Sequence, residues 1–123
     1  MKTVMVSGHF DPFHDVHLAY IKRAMAHGDH LICVVSSDAQ LLKKKGRVNI
    51  PQAGRKVIVD LVLEGLHVPH STIWNVWDKD TTLVSEALRA LRPDIFFRGG
   101  DKTMGTMPPE ERKVCDDLGI KIL

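Results

Sequence analysis

The sequence predicts an α/β domain whose parallel sheet is wrapped by helices on both faces. Three observations carry that expectation. Short apolar runs rich in β-branched residues alternate with stretches whose apolar residues recur at helical spacing. Most of the runs are continuously apolar, as strands buried on both faces must be. The chain of 123 residues has room for one domain but not two. Parallel strands joined by right-handed helical crossovers form a doubly wound sheet, in which ligands bind beyond the strand C-termini.

Thr3 to Ser7 reads as the first strand, closed by Gly8. Residues 8–16, with Gly8, Asp11 and Pro12, read as a loop, and Leu18, Ile21 and Met25 mark a helix from His17 that Gly28 stops. Leu31 to Val35 is a second buried strand. Ser36, Ser37 and Asp38 supply capping chemistry for a short helix from Ala39 to about Lys44. Pro51 opens a longer helix, with Val57, Leu61 and Leu66 among its apolar positions. Thr72 to Val76 is a third strand, and Thr81 or Thr82 can cap a helix through Leu83, Ala87, Leu88 and Leu91 that must end before Pro93. Asp94 to Phe97 is a fourth strand. Pro109, Glu110 and Glu111 start a last helix, with its acidic residues at the positive end of the dipole. Gly119 closes that helix, and residues 120–123 form a fifth strand.

Composition narrows the function classes. Hydrophobic content of 44% and charged content of 26% are ordinary for a globular domain and exclude a disordered chain. No apolar run reaches the ~18–20 residues of a membrane span. The N-terminal segment meets its first turn too early for a signal peptide. Cys33 and Cys115 have no cysteine partner at metal spacing, so reduced thiols and a cytoplasmic location are expected. A net charge of +2 does not imply nucleic-acid binding; the basic run Lys43-Lys44-Lys45-Gly46-Arg47 is local, and the rest of the chain has no basic stripe.

The chemistry concentrates at the ends of strands one, two and four. His9 to His17, Ser36 to Lys45 and Arg98 to Lys102 are polar and Gly- or charge-rich, and the topology brings them to one edge of the sheet. The first loop is the most informative. His14 and His17, three residues apart at a helix start, share one face beside unpaired N–H groups and the positive end of the helix dipole. That is a phosphate-binding arrangement. A structural reading also exists, with His14 stabilising the turn and His17 capping the helix. A zinc site from His9, Asp11, His14 and His17 is weaker, because zinc ligands come at regular spacing on a rigid element or as Cys/His sets.

Gly8-His9-Phe10-Asp11-Pro12-Phe13-His14-Asp15-Val16-His17 after a first strand resembles the nucleotidyltransferase superfamily with the His-X-Gly-His motif. The resemblance runs over nearly the whole chain. It includes Gly28-Asp29-His30-Leu31-Ile32 entering the second strand, Ser37-Asp38, a lysine among Lys43, Lys44 and Lys45, Arg55 at the start of the long helix, and Arg98-Gly99-Gly100-Asp101. The last segment is most similar to the heptose-phosphate adenylyltransferases, with the glycerol-phosphate cytidylyltransferases related. The resemblance implies a Rossmann-like nucleotidyltransferase fold with a five-stranded sheet. It implies transfer of a nucleoside monophosphate from ATP or CTP to a small phosphorylated sugar, polyol or cofactor precursor, with release of pyrophosphate. His14, His17 and Lys44 or a neighbouring lysine are then the catalytic residues. Gly8, His9, Phe10, Asp11, Arg55, Arg98, Gly99, Gly100 and Asp101 shape the nucleotide and substrate sites. Magnesium accompanies the triphosphate, held largely by its phosphates. Relatives of this type often form dimers or larger assemblies.

Two departures stand against this pattern. The glycine of His-X-Gly-His is Val16, which removes a place where backbone and phosphate approach closely. The family's last strand is normally followed by a Ser/Thr-rich phosphate-binding loop, which a single domain of residues 1–123 lacks. A non-catalytic nucleotide- or phosphate-binding module on the same fold is therefore the alternative reading.

Overall fold

The computed structural model describes residues 1–99 and 107–123. In chain order the elements are β1 (Thr3–Gly8), α1 (Asp15–Met25), β2 (His30–Val35), α2 (Asp38–Lys45), α3 (Gln52–Gly65), β3 (His70–Trp74), α4 (Ser85–Leu91), β4 (Ile95–Phe96), α5 (Pro109–Leu118) and β5 (Lys121–Ile122). The five strands form one parallel sheet in the order β3-β2-β1-β4-β5. The doubly wound α/β fold expected from the alternation of elements is the fold observed.

Strand alternation divides the core. Val4 and Val6 of β1, with Leu31, Cys33 and Val35 of β2, point to the face covered by Ile21 and Ala24 of α1 and by Val59 and Leu63 of α3. Met5, Ile32 and Val34 point the other way, onto Ala87 and Leu88 of α4 and Val114 and Cys115 of α5. Both cysteines are buried free thiols. Burial, with Glu111 and Asp116 nearby, pushes the Cys115 thiol up to about 11, and burial pushes Cys33 up as well. Gly28 has a packing reason: a Cβ there would lie 2.5 Å from a Val4 methyl and 2.8 Å from the Lys2 carbonyl oxygen.

Several boundaries and faces differ from expectation, each for a local reason. Helix α1 begins at Asp15, not His17, because His14 is its N-cap. Helix α3 turns Arg55, Val59 and Leu63 inward and leaves Val57 and Leu61 exposed, the reverse of the expected face. An arginine at the head of a buried stripe hides that stripe from any apolar count. Helix α4 starts at Ser85 without help from Thr82, and the Thr81 hydroxyl serves only the Leu83 N–H. The acceptor is Asp78, whose two carboxylate oxygens take the N–H groups of Glu86 and Ala87 at 2.9 and 3.0 Å. Strands β3, β4 and β5 are shifted or shortened by one or two residues at their ends.

The site is positioned where β1 parts from β4. These strands pair only through Val4–Ile95 and Met5–Phe96, with one further bond from Phe97 N–H to the Met5 carbonyl at 3.0 Å. Beyond that the Tyr20 hydroxyl of α1 fills the fork. It donates to the Phe97 carbonyl at 2.7 Å and accepts the Ser7 N–H at 3.4 Å. Burial of this phenol pushes its pKa far above the ordinary range, so it is neutral at any working pH. Tyr20→Phe keeps the ring but strips the partner from two backbone groups, so it is expected to cost about 1–3 kcal/mol in urea unfolding. An unchanged midpoint would show that the hydroxyl does not bind this fork.

Candidate active site

The cleft beyond the C-terminal ends of β1, β2 and β4 has two lobes of about 500 Å³ each. Ser7, Gly8, His9, Tyr20 and Arg98 line both, so the lobes are one continuous cleft. His14, Val16, His17, Arg23, Lys45 and Gly99 extend the first lobe. Ser36, Lys44, Thr82 and Glu111 extend the second. A side recess continues past His9 and Asp11 to Lys45, Arg47 and Asn49. This is the switch point of the sheet, where neighbouring crossovers leave on opposite faces and a ligand can reach the strand ends.

The two histidines of the first loop cap their own helix. The His14 Nδ1 accepts the Val16 N–H at 3.3 Å, and the His17 Nδ1 accepts the His14 N–H at 3.2 Å. The rings stack with centroids 3.9 Å apart, and His17 also meets the Phe10 ring edge-on at 5.0 Å. A ring nitrogen that accepts a backbone N–H carries no proton, so these hydrogen bonds place the proton of each ring on Nε2. Burial first, then the nearby His14 and His9, hold the His17 pKa below its ordinary value. The Asp15 carboxylate lies 3.8 Å from the same His14 nitrogen, but it is almost fully exposed and its pull is screened by water. The capping and phosphate readings of the pair are therefore compatible: capping with Nδ1 leaves each ring an Nε2–H donor at a helix N-terminus.

The loop around these rings is tied down by Arg55. Its side chain is completely buried, yet it lies behind the cleft rather than in its wall. Nη1 donates to the carbonyls of His9 and Ser36 at 2.9 and 2.7 Å, and Nε donates to the Ile50 carbonyl at 2.8 Å. Nη2 pairs with Asp38 Oδ1 at 2.8 Å. Arg55 is thus a positioning residue that joins the ends of β1 and β2 to the loop before α3. Asp11 has a similar part. Its carboxylate oxygens accept the N–H groups of Asn49 and Ile50 at 2.8 and 2.7 Å. Phe10 is buried, with φ +52, and its ring packs under Gly8, where a Cβ would be 2.9 Å from the ring. Gly8 is required by this packing as well as by the open cleft above it.

The three lysines separate. Lys43 donates to the Asp80 carbonyl at 2.7 Å, whereas Lys44 and Lys45 line the second and first lobes respectively. Val16 is in helical backbone that needs no glycine, and its exposed side chain stands at the rim of the first lobe. Arg98 and Gly99 line the cleft, Gly99 with φ +91 against the Tyr20 ring. Gly100 and Asp101 lie outside the described residues. Among the described residues no group of three or more His, Cys, Asp or Glu side chains could hold a metal ion. Tyr20, Arg23, Ser36, Thr82 and Glu111 line the cleft without having been singled out as site residues. For Arg23 the signal was present, since it lies one helical turn from Tyr20 and two from Val16 on the face that starts with the histidines.

The cleft, with histidines, lysines and arginines in its wall, lies where a ligand can reach the strand ends of a doubly wound sheet. Residues 5–119 match the cytidylyltransferase-like family, and the chain belongs to it. It is 34% identical over 128 residues to the bifunctional protein HldE of Marinomonas sp. (strain MWYL1), a match covering 99% of this chain and 24% of that protein. It is 36% identical over 104 residues to the FAD synthase of Methanothrix thermoacetophila, covering 85% of this chain and 66% of the synthase. The chain therefore spans about a quarter of the HldE relative and just under two-thirds of the synthase. A crystal structure of the lipopolysaccharide core biosynthesis protein from Thermoplasma volcanium GSS1 matches with a TM-score of 0.71 and 26% identity, covering 99% of this chain and 92% of that one.

Two outcomes follow from this geometry. Arg55→Lys removes the planar fork that reaches three carbonyls at once, and is expected to destabilise the protein by about 3 kcal/mol or more in denaturant unfolding. A change below about 1 kcal/mol would deny Arg55 its role. The depressed His17 pKa means that the unfolded chain binds more protons at mildly acidic pH. Its contribution to stability is full above about pH 6.5 and is lost as pH falls through the lower folded value. Unfolding followed between pH 5 and 7.5 should show this loss, and His17→Gln should flatten it.

Proposed function

We propose that this chain transfers a nucleoside monophosphate from ATP or CTP to a small phosphorylated sugar, polyol or cofactor precursor. The observation that carries the reading is the pair of imidazoles at the α1 N-terminus, which use Nδ1 to cap the helix and line a cleft that also holds Lys44, Lys45 and Arg98. An oxygen of the acceptor phosphate attacks the α-phosphorus. The bond from that phosphorus to the bridging oxygen of the β-phosphate breaks, and pyrophosphate leaves. The protein contributes position and charge stabilisation, with no covalent intermediate. His14 and His17 hold the phosphates, His17 stabilising the transition state from the helix start, and the lysines close the cleft from α2.

Magnesium suits this donor set as a partner of the triphosphate. Asp11 is engaged by backbone N–H groups, so the ion would be held largely by the triphosphate itself, whose charge it would neutralise. The name of the FAD synthase supports a cofactor precursor as acceptor and that of the lipopolysaccharide core biosynthesis protein a sugar, without choosing between them. Among the described residues no helix is long and apolar enough to cross a membrane. Buried free thiols suit a reducing compartment, and the reading places the protein in the cytoplasm, without nucleic acid as substrate.

A second reading, a nucleotide- or phosphate-binding module without turnover, is favoured by the Val16 side chain at the rim of the first lobe. Pyrophosphate release with Mg²⁺ and ATP or CTP, against a panel of sugar and polyol phosphates, separates the two. Turnover with one acceptor is expected, and His17→Ala should lower kcat/KM by about 100-fold or more while the folded fraction stays high. Nucleotide binding without pyrophosphate from any acceptor would establish the module instead, and undiminished turnover in His17→Ala would remove that residue from the mechanism.

A further inference from the structure

Helix α3 turns an apolar face outward. Val57, Ile58 and Leu61 are 55%, 36% and 62% exposed, while Arg55, Val59 and Leu63 fill the opposite side of the same helix. At helical spacing Val57 and Leu61 stand about 40° apart, opposite the buried stripe, and Ala53, Gly54 and Glu64 fall on their face. Ala53, Glu64 and Gly65 are exposed. On the flank Lys56 and Asp60 neutralise each other at 3.2 Å, and Asp60 also lies 3.5 Å from His70 Nε2. That leaves Glu64, near the C-terminal end, as the charge within the apolar face. A solvated helix carries its polar residues outward, whereas here arginine heads the buried side and the water side is apolar. A contiguous apolar face in water marks an interaction surface.

We propose that this face joins two copies of the chain, with their α3 helices packed antiparallel across a two-fold axis at the level of Val59. Val57 of each copy then meets the partner's Leu61, the reciprocal pairing that a two-fold contact requires. The charges are self-complementary in this arrangement. The N-cap of α3 is Pro51, which offers no side-chain acceptor, and the first turn holds no acidic residue. Asp38 takes the Gln52 N–H there but is already paired with Arg55. Antiparallel packing sets the partner's Glu64 beside Gly54, at that positive helix end, and opposes the two macrodipoles. The last turn of α3 has no basic residue, so nothing at that end repels the partner's N-terminus. The ends of the face also leave room for close approach. A Cβ at Gly65 would meet nothing within 4 Å, and one at Gly54 would meet only an Ile50 methyl. Packing at about 20° with axes 8–10 Å apart suits such a stripe. A helix of 14 residues is about 20 Å long. The contact is therefore small, and the dimer exchanges with monomer. The inference goes beyond the proposed reaction: Val57, Ile58 and Leu61 line neither lobe of the cleft.

Sedimentation equilibrium of the whole chain from about 1 µM to 1 mM reads the association across the affinities such a contact can have. A monomer–dimer equilibrium is expected, and a monomer throughout overturns the inference. Leu61→Glu should weaken the dimer about 30-fold or more, because the substitution enters the contact twice. Val57→Lys, also at an exposed position, should act alike, and urea unfolding of dilute protein confirms that both variants fold. A dimer that survives both substitutions uses another face and overturns the inference. Orientation is read from charge and from cross-linking. Glu64→Lys should weaken association about fivefold, and adding Ala53→Glu to it should restore the loss. When Val57→Cys and Leu61→Cys proteins are mixed and oxidised, the mixed disulfide should form in preference to either symmetric one; Cys33 and Cys115 are buried and stay out of the exchange. Symmetric disulfides in its place, or no rescue by Ala53→Glu, overturn the antiparallel pairing. None of these outcomes touches the proposed reaction, which stands or falls on pyrophosphate release.

Discussion

The Arg55 guanidinium joins three stretches of backbone behind the cleft. It is fully buried and donates to the carbonyls of His9, Ser36 and Ile50 while pairing with Asp38. The ends of β1 and β2 and the loop entering α3 are thereby held at fixed spacing. A buried cation is costly unless its donors are used. Here one carboxylate and three carbonyls answer four of them, so the arrangement tolerates little variation in where those carbonyls lie. The cleft takes its shape from this constraint and from two lesser ones, Asp11 clasping the Asn49–Ile50 backbone and Tyr20 filling the β1–β4 fork.

What faces the cleft follows from how the backbone behind it is satisfied. Helix α1 needs acceptors for its first N–H groups, and His14 and His17 supply them. That choice fixes their tautomer and leaves the remaining N–H on Nε2. A serine or aspartate cap would satisfy the helix equally but would present no N–H donor to a ligand. Structural and chemical roles therefore fall on the same two rings, and a substitution there changes both.

Much of this was legible in the sequence. Continuous apolar strands fixed the parallel sheet, and the polar residues at the ends of β1, β2 and β4 located the cleft, because strand order brings those ends together. The histidine pair was readable because its three-residue spacing places both rings on one helical face. Other features depend on side-chain reach, which spacing does not encode. Arg55 is placed at the site by its resemblance to the family's helix-opening arginine; arginine is seldom wholly buried, so nothing in the spacing marks it as the head of the inner face of α3. Asp78 caps α4 from seven residues before the helix begins, well outside the usual capping position. Among Lys43, Lys44 and Lys45 the sequence offers no choice; the Asp80 carbonyl, reached through a separate loop, claims the first.

The central claim is that the imidazoles of His14 and His17 receive a nucleotide phosphate at the switch point. A crystal structure with a non-hydrolysable ATP or CTP analogue tests it most directly. The account predicts phosphate oxygens within hydrogen-bond distance of Nε2 of both rings, with Nδ1 still accepting the Val16 and His14 N–H groups. A nucleotide bound elsewhere, or rings turned so that Nδ1 faces the phosphate and the α1 cap is broken, would contradict it.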